Sequence, residues 1–164
     1  MEIKTRKILK KDIPKISKLI LDIYKEKPYA LTFEKLPKKE KLYKLLNAKV
    51  ILSKKKLIID KVIVDLKDNV LGELELIPLN NDLSNNLGII GLIIDNKFRR
   101  KGIGTTLLNE TIETAKKQNF KKILAIVSID NKEAINFFKK NNFYFINQKN
   151  NINDKKLTFE LKLD

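Results

Sequence analysis

The sequence predicts an α/β (α+β) fold: a mixed sheet of about seven strands with about four helices packed on it, in the order β-α-α-β-β-β-α-β-α-β-β. Three observations carry this. Apolar residues recur at helical spacing in some stretches and alternate, or form short runs, in the others. One run, "LGIIGLII" at 87–94, does not alternate and reads as a central strand buried on both faces. No internal repeat, low-complexity tract or Pro/Gly/Ser linker divides the 164 residues, so 1–164 is read as a single domain long enough to bury a full core.

Each element has its own signal. "EIKTRKIL" alternates well enough for a first strand. Asp12 is expected to cap a helix that holds Pro14 early and the apolar face Ile13, Ile16, Leu19, Ile20 and Ile23. "PYALTFEKLP" reads as a loop, after which Leu42, Leu45 and Leu46 mark a second helix. "LIIDKVIVDL" and "VLGELELIPL" are two strands turning at Lys67-Asp68-Asn69. A polar loop, "NNDLSNN", leads to the central run, which Gly88 and Gly91 interrupt, marking either a bulge or a small-residue packing site. Ile103, Leu107, Leu108, Ile112 and Ala115 then recur at helical spacing, and "KKILAIVSI" is a buried strand. Asn131 can cap a helix carrying Ala134, Ile135, Phe137 and Phe138. "NFYFINQ" and "KLTFELKL" close the chain as strands.

Composition narrows the chemistry. Apolar residues make up 43% and charged residues 34%, a globular rather than a disordered balance. The longest apolar run is too short to span a bilayer, and "MEIKTRKILKKD" lacks the apolar core of a signal peptide. A cytoplasmic protein with no membrane partner is expected. There is no cysteine and no histidine, which removes thiolate nucleophiles, Cys/His zinc sites and histidine bases together. No metal is expected, and catalysis must use carboxylates, Tyr, Ser/Thr, Lys or backbone amides. The formal charge of +15 attracts phosphates in general. The lysines are dispersed in short runs without interleaved aromatics, however, so a solvated surface is favoured and nucleic acid is not expected as a partner.

The most informative stretch is "NKFRRKGIGTTLLNET" at 96–111, a basic, glycine-rich strand-to-helix junction. The first N–H groups of a helix lack internal partners and the helix dipole adds positive charge there, so an anion is favoured. Glycine at 102 and 104 lets a ligand approach the backbone, and Arg99, Arg100 and Lys101 offer charge-assisted contacts. A P-loop would need G-x-x-x-x-G-K-[ST], which is absent. A dinucleotide fingerprint would need a third glycine where Leu107 stands.

In "LIIDNKFRRKGIG", Arg99, Gly102 and Gly104 stand where a strand–turn–R/Q-x-x-G-x-G/A signature has its fixed residues. "NKEAINFFKKNNF" at 131–143 is similar to the N-x-x-A-x-x-[LF]-[YF] element that follows it. Together, in this order and with a strand between, they resemble the GNAT superfamily of acyl-CoA-dependent N-acyltransferases. The resemblance implies a mostly antiparallel sheet with a bulged fourth strand and acetyl-CoA (coenzyme A) as cofactor. It implies that backbone amides of Arg100, Lys101, Gly102, Ile103, Gly104 and Thr105 hold the pyrophosphate. It also implies that Leu92, Ile93 and Ile94 offer main-chain groups to the pantetheine arm, with Asn131 nearby, although helix capping alone accounts for Asn131. The two glycines at 88 and 91 would serve the bulge.

The chemistry implied is acetyl transfer to a primary amine, of a small molecule or a protein, directly within a ternary complex; without cysteine no acyl-cysteine relay exists. A backbone N–H near Leu92 or Ile93 would stabilise the oxyanion, such donors being worth about 3 kcal/mol. Two departures stand out. Many members place at Phe138 a Tyr that protonates the leaving thiolate; Tyr144 is the substitute candidate, or else a packed strand residue. Many also carry a Glu early in the fourth strand, where this chain reads Leu87, Gly88, Ile89 and Ile90; Glu73 and Glu75, on one face of the preceding strand or facing solvent, are the nearest substitutes. Asn96 replaces a common Pro, and Asn142 a common Gly. The acceptor would be shaped by the first two helices and "YKEKPYALTFEK", with Tyr24, Tyr29 and Phe33 as wall candidates. A non-catalytic acyl-CoA-binding module and a basic nucleic-acid- or ribosome-associated protein are the alternatives. Nothing in the sequence speaks to oligomeric state.

Overall fold

In the computed structural model, residues 2–28, 36–79, 86–151 and 154–163 are described. The chain runs β1 (Ile3–Lys7), α1 (Ile13–Glu26), α2 (Lys39–Lys54), β2 (Ile59–Asp65), β3 (Val70–Pro78), β4 (Leu87–Ile94), α3 (Ile103–Lys117), β5 (Lys122–Ser128), α4 (Lys132–Lys140), β6 (Tyr144–Asn151) and β7 (Asp154–Lys162). This is the predicted order. The strands form one sheet, β1-β2-β3-β4-β5-β7-β6. Among the described residues only the β4–β5 pair is parallel; every other neighbour is antiparallel. No helix among the described residues is long and apolar enough to cross a membrane.

Alternation along the strands gives the sheet two apolar faces. Val62, Val64 and Val70 pack with α1 and α2 through Ile13, Ile16, Leu19, Ile20, Leu42, Leu46 and Val50. Ile63, Leu74, Leu76 and Ile90 pack on the other face with Ile103, Leu107 and Leu108 of α3 and Ile135 and Phe138 of α4. Asp65 closes the β2–β3 turn by accepting the N–H groups of Lys67 and Asn69, each at 2.9 Å. Asn142 adopts φ 65°, the left-handed conformation a glycine would take there.

Three expectations change. Asp12 occupies the cap position of α1 without bonding its N–H groups. Its carboxylate instead accepts from Leu9 N at 2.8 Å and from both terminal nitrogens of Arg6 at 2.7 and 2.8 Å. β4 is central but not buried on both faces: Gly88 and Ile90 are buried, and the rest is half-buried. The cause is its partner, because pairing with β5 stops at Ile90↔Ala125. The expected irregularity takes this form, a parting from β5, while the register against β3 runs unbroken from Gly72↔Ile94 to Pro78↔Gly88. Finally, Gly88 serves packing: a Cβ there would fall 2.7 Å from Leu76 Cδ1 and 3.0 Å from the Phe120 ring.

Candidate functional site

The parting of β4 from β5 leaves residues 91–94 with one paired edge, and the chain leads from there into the basic junction. Asp95 shapes the exit. Its N–H donates to Leu71 O at 2.9 Å and its carboxylate accepts from Lys97 N at 3.2 Å and Lys15 Nζ at 3.1 Å. Arg100 and Gly102 both take positive φ, 59° and 78°, so the chain enters α3 through two left-handed residues. The first helical bond runs from Thr106 N to Gly102 O at 2.9 Å, leaving the N–H groups of Ile103, Gly104 and Thr105 without helical acceptors. No side chain caps this terminus and no acidic residue sits in its first turn. An added Cβ at Gly102 would meet nothing within 4 Å. An open, uncapped helix start with unpaired donors and no acid in its own first turn fits an anionic group such as a pyrophosphate.

The three basic residues divide. Arg99 turns back: its Nε donates to Ile94 O at 3.2 Å and its Nη1 to Glu26 Oε1 at 3.1 Å, so it braces the loop against β4 and α1. Arg100 is 87% exposed, and Lys101 Nζ stands 5.4 Å over the Phe98 ring. Gly104 is a close approach between helices, since a Cβ would fall 3.2 Å from the Phe137 ring and 3.7 Å from Leu92 Cδ2. Asn131 caps α4, its side-chain oxygen accepting from Ala134 N at 3.1 Å. Phe138 is buried, edge-on to Phe137 and Phe143, at 5.3 and 5.0 Å between centroids.

Tyr144 is not brought to the opening. It starts β6, the far edge strand, with β7 and β5 between it and β4, three strand spacings or about 14 Å away. Its hydroxyl donates to Glu160, which pushes it up to about 12. Both distance and proton affinity oppose the acid role. Of the wall candidates, Tyr24 is half-buried on α1; Tyr29 and Phe33 lie outside the described residues.

Glu73 and Glu75 do share a face, and it is the α1–α2 face rather than solvent. Lys49 of α2 reaches both, at 3.2 Å to Glu73 Oε1 and 2.7 Å to Glu75 Oε2. Glu73 is 4% exposed. Glu75 pairs with Gly91 across the β3–β4 ladder, and a Cβ at Gly91 would fall 2.9 Å from its Oε1. Glycine at 91 therefore lets the Glu75 carboxylate lie over β4, one residue past the last pair with β5.

The motifs missed Asp60 and Lys49. Asp60 faces Glu75 across the β2–β3 ladder, 1% exposed; among the described residues no N–H or hydroxyl donor reaches its oxygens, and its hydrogen-bonding neighbour is the Glu73 carboxyl. Burial, and then the charge of Glu73, pushes it up to about 9. Burial raises Glu73 as well. Burial lowers Lys49, but the charges of Glu73, Glu75 and Asp60 outweigh it and hold the ammonium well above its ordinary value. The signal was legible: an acid inside the apolar run "LIIDKVIVDL", and a lysine three residues past Leu46 on the apolar stripe of α2.

At neutral pH Asp60 thus keeps its proton when folded but loses it when unfolded. Its contribution to stability is full below the ordinary aspartate value of about 4 and is lost as pH rises through about 9. Asp60→Asn keeps the shape without the titration. It is expected to raise stability at pH 8 by about 1–3 kcal/mol, with a melting-point gain that grows from pH 5 to pH 9. A gain that stays flat with pH would show that Asp60 is ionised in the fold.

Residues 20–143, spanning both motifs, match the profile described as the acetyltransferase (GNAT) family. Over 52 residues the chain is 42% identical to an uncharacterized N-acetyltransferase of Methanocaldococcus jannaschii, a match covering 32% of this chain and only 23% of that relative's length. A phosphinothricin acetyltransferase from Sinorhizobium meliloti, solved with AcCoA, superposes with a TM-score of 0.82 at 16% identity, over 99% of this chain and 89% of that one. A ribosomal-protein-alanine N-acetyltransferase from Brucella melitensis gives 0.79 at 20%, over 98% and 99%. At these identities the two structures establish a common fold. Parted strands, a bare helix start and a matching family profile over most of the chain lead to one conclusion: the chain belongs to the GNAT acetyltransferase family.

Proposed function

We propose that the protein transfers an acetyl group from acetyl-CoA to a primary amine by direct attack within a ternary complex. The observation that carries the reading is the continuity of the β4–β5 parting with the uncapped start of α3 at Gly102. When bound, acetyl-CoA supplies an activated acyl carbon and a thiolate leaving group. The amides of residues 100–105 hold its pyrophosphate, and the free edge of Leu92, Ile93 and Ile94 holds its pantetheine arm. The N–H of Leu92 or Ile93 is the donor assigned to the charge that develops on the acyl oxygen.

Glu75 is assigned as the base, because it reaches over Gly91 toward the opening and remains partly exposed. Its carboxylate takes a proton from the acceptor ammonium. The freed nitrogen pair would form the C–N bond; as the C–S bond broke with its electrons on sulfur, the nitrogen would shed its second proton to solvent, leaving a neutral amide and a thiolate. Phe138 cannot protonate that sulfur, and a thiol that titrates near about 8.5 departs tolerably as thiolate.

The test begins with the melting point. Acetyl-CoA at a hundredfold its dissociation constant is expected to add about 2.7 kcal/mol, a rise of roughly 5–10 °C, absent with adenosine or free phosphate. CoA release is then followed with a thiol dye, which a cysteine-free protein leaves silent. The acceptor panel holds phosphinothricin, an alanine-initiated peptide and a diaminoalkane. A shift without release of CoA on any acceptor would favour the second reading, a non-catalytic acyl-CoA-binding module, to which the missing hydroxyl at Phe138 and the distance of Tyr144 also point. No shift would remove the cofactor assignment.

A further inference from the structure

The anion site carries its own carboxylates. Glu133, in the first turn of α4, faces three cations from two parts of the chain, the end of α1 and the basic junction. Its Oε2 lies 2.8 Å from Lys27 Nζ and its Oε1 lies 3.8 Å from Arg100 Nη2. Arg99 adds its charge to the same surroundings, and Lys27 first among these cations holds Glu133 below the ordinary carboxylate range. Glu26, at the end of α1, repeats the pattern, 3.1 Å from Arg99 Nη1 and 3.9 Å from Lys27 Nζ. The cations of the junction are therefore not waiting bare for a phosphate. In a chain of net charge +15, two carboxylates stand among the arginines beside the helix start that the fold leaves uncapped.

The arrangement contributes little to the fold. Glu133 is 51% exposed and Arg100 87%, and ion pairs between exposed side chains contribute little to stability. Its effect falls instead on whatever anion approaches the turn. A phosphate that reaches Arg100 must displace Glu133 or sit beside it. A like charge at roughly 6 Å in water-like dielectric opposes binding by an amount worth about threefold in affinity.

We propose that Glu133 is an affinity-setting residue for the acyl donor: an internal counter-ion that weakens the hold of the junction on a phosphate-bearing ligand and so speeds its departure. This rests on the pyrophosphate assignment above. Glu133 touches neither the acyl group nor the acceptor; it acts through Arg100 and Lys27.

The test is the dissociation constant of acetyl-CoA by calorimetry at two salt concentrations, for the wild type, Glu133→Gln and Glu113→Gln. The last makes the same charge change about ten residues farther along α3 from the junction, at an exposed position. Glu133→Gln is expected to tighten acetyl-CoA binding at least threefold at low salt, with the gain shrinking at high salt as screening removes it. Glu113→Gln is expected to change binding by less than half as much. Equal effects of the two variants would reduce the matter to net charge and overturn the proposal. Unchanged or weaker binding by Glu133→Gln would overturn it as well, the latter by showing that Glu133 holds the loop in its binding shape. Absence of acetyl-CoA binding by the wild type is a different result, for it removes the pyrophosphate assignment itself.

Discussion

Gly102→Val is expected to abolish the acetyl-CoA-induced rise in melting point while leaving the domain folded. Gly102 sits at φ 78°, and an added Cβ meets no atom within 4 Å. The added Cβ itself meets no described residue. It does incur the left-handed backbone penalty of about 1–2 kcal/mol, which lowers the melting point of a domain this size by roughly 2–8 °C. It also projects into the space through which an anion reaches the amides of residues 103–105. Gly104 is a poorer site for the experiment, because a Cβ there meets the Phe137 ring at 3.2 Å and disturbs the α3–α4 contact directly. The measurement is a melt with and without acetyl-CoA. A valine variant that is folded and still shifts by the wild-type amount would place the pyrophosphate elsewhere.

Lys49→Met is expected to be the most destabilising single change at the site. Lys49 pairs with both Glu73 and Glu75, and removing one partner of a buried ion pair costs about 3–5 kcal/mol. That corresponds to a fall of roughly 6–20 °C at neutral pH. The loss should depend on pH with a definite sign. Burial already raises Glu73 above its ordinary value. Without Lys49 it rises further, so the variant loses stability as pH rises above the ordinary carboxylate range and recovers it in acid, where the buried carboxyls take protons. Melts at pH 4.5 and 7.5 check this. A deficit equal at both values would mean that the lysine contributes its packed stem and not its charge.

Most of the architecture was legible because hydrophobic periodicity is a local matter. The face Ile13, Ile16, Leu19, Ile20, Ile23 is buried as the 3.6-residue spacing requires, and the seven strands fall where alternation or short apolar runs placed them. The basic turn was legible for a similar reason. A glycine at a helix start and the absence of acid from the helix's own first turn are properties of a few consecutive residues, and Gly102 takes the left-handed φ of 78° that glycine permits.

Where the structure departs from the sequence reading or narrows it, the cause is a partner that the local pattern does not name. Asp12 looked like a helix cap, but Arg6, six residues earlier, takes its carboxylate in a two-pronged ion pair. β4 looked fully buried, yet its burial is decided by where β5 stops pairing, which hydropathy does not encode. Tyr144 looked available as an acid until strand order put β5 and β7 between it and β4.

The sequence by itself determined the order of elements, the family motifs, the anion-attracting turn and the exclusion of thiol and imidazole chemistry, because each follows from residue identity or short-range spacing. Only the tertiary structure decided which acids face the opening. Asp60, Glu73, Glu75 and Lys49 come from two strands and a helix, and Gly91 leaves room for Glu75 only because β3 and β4 pair in one register. Whether a carboxylate meets water, a lysine or another carboxyl depends on that assembly, and so, therefore, does its charge.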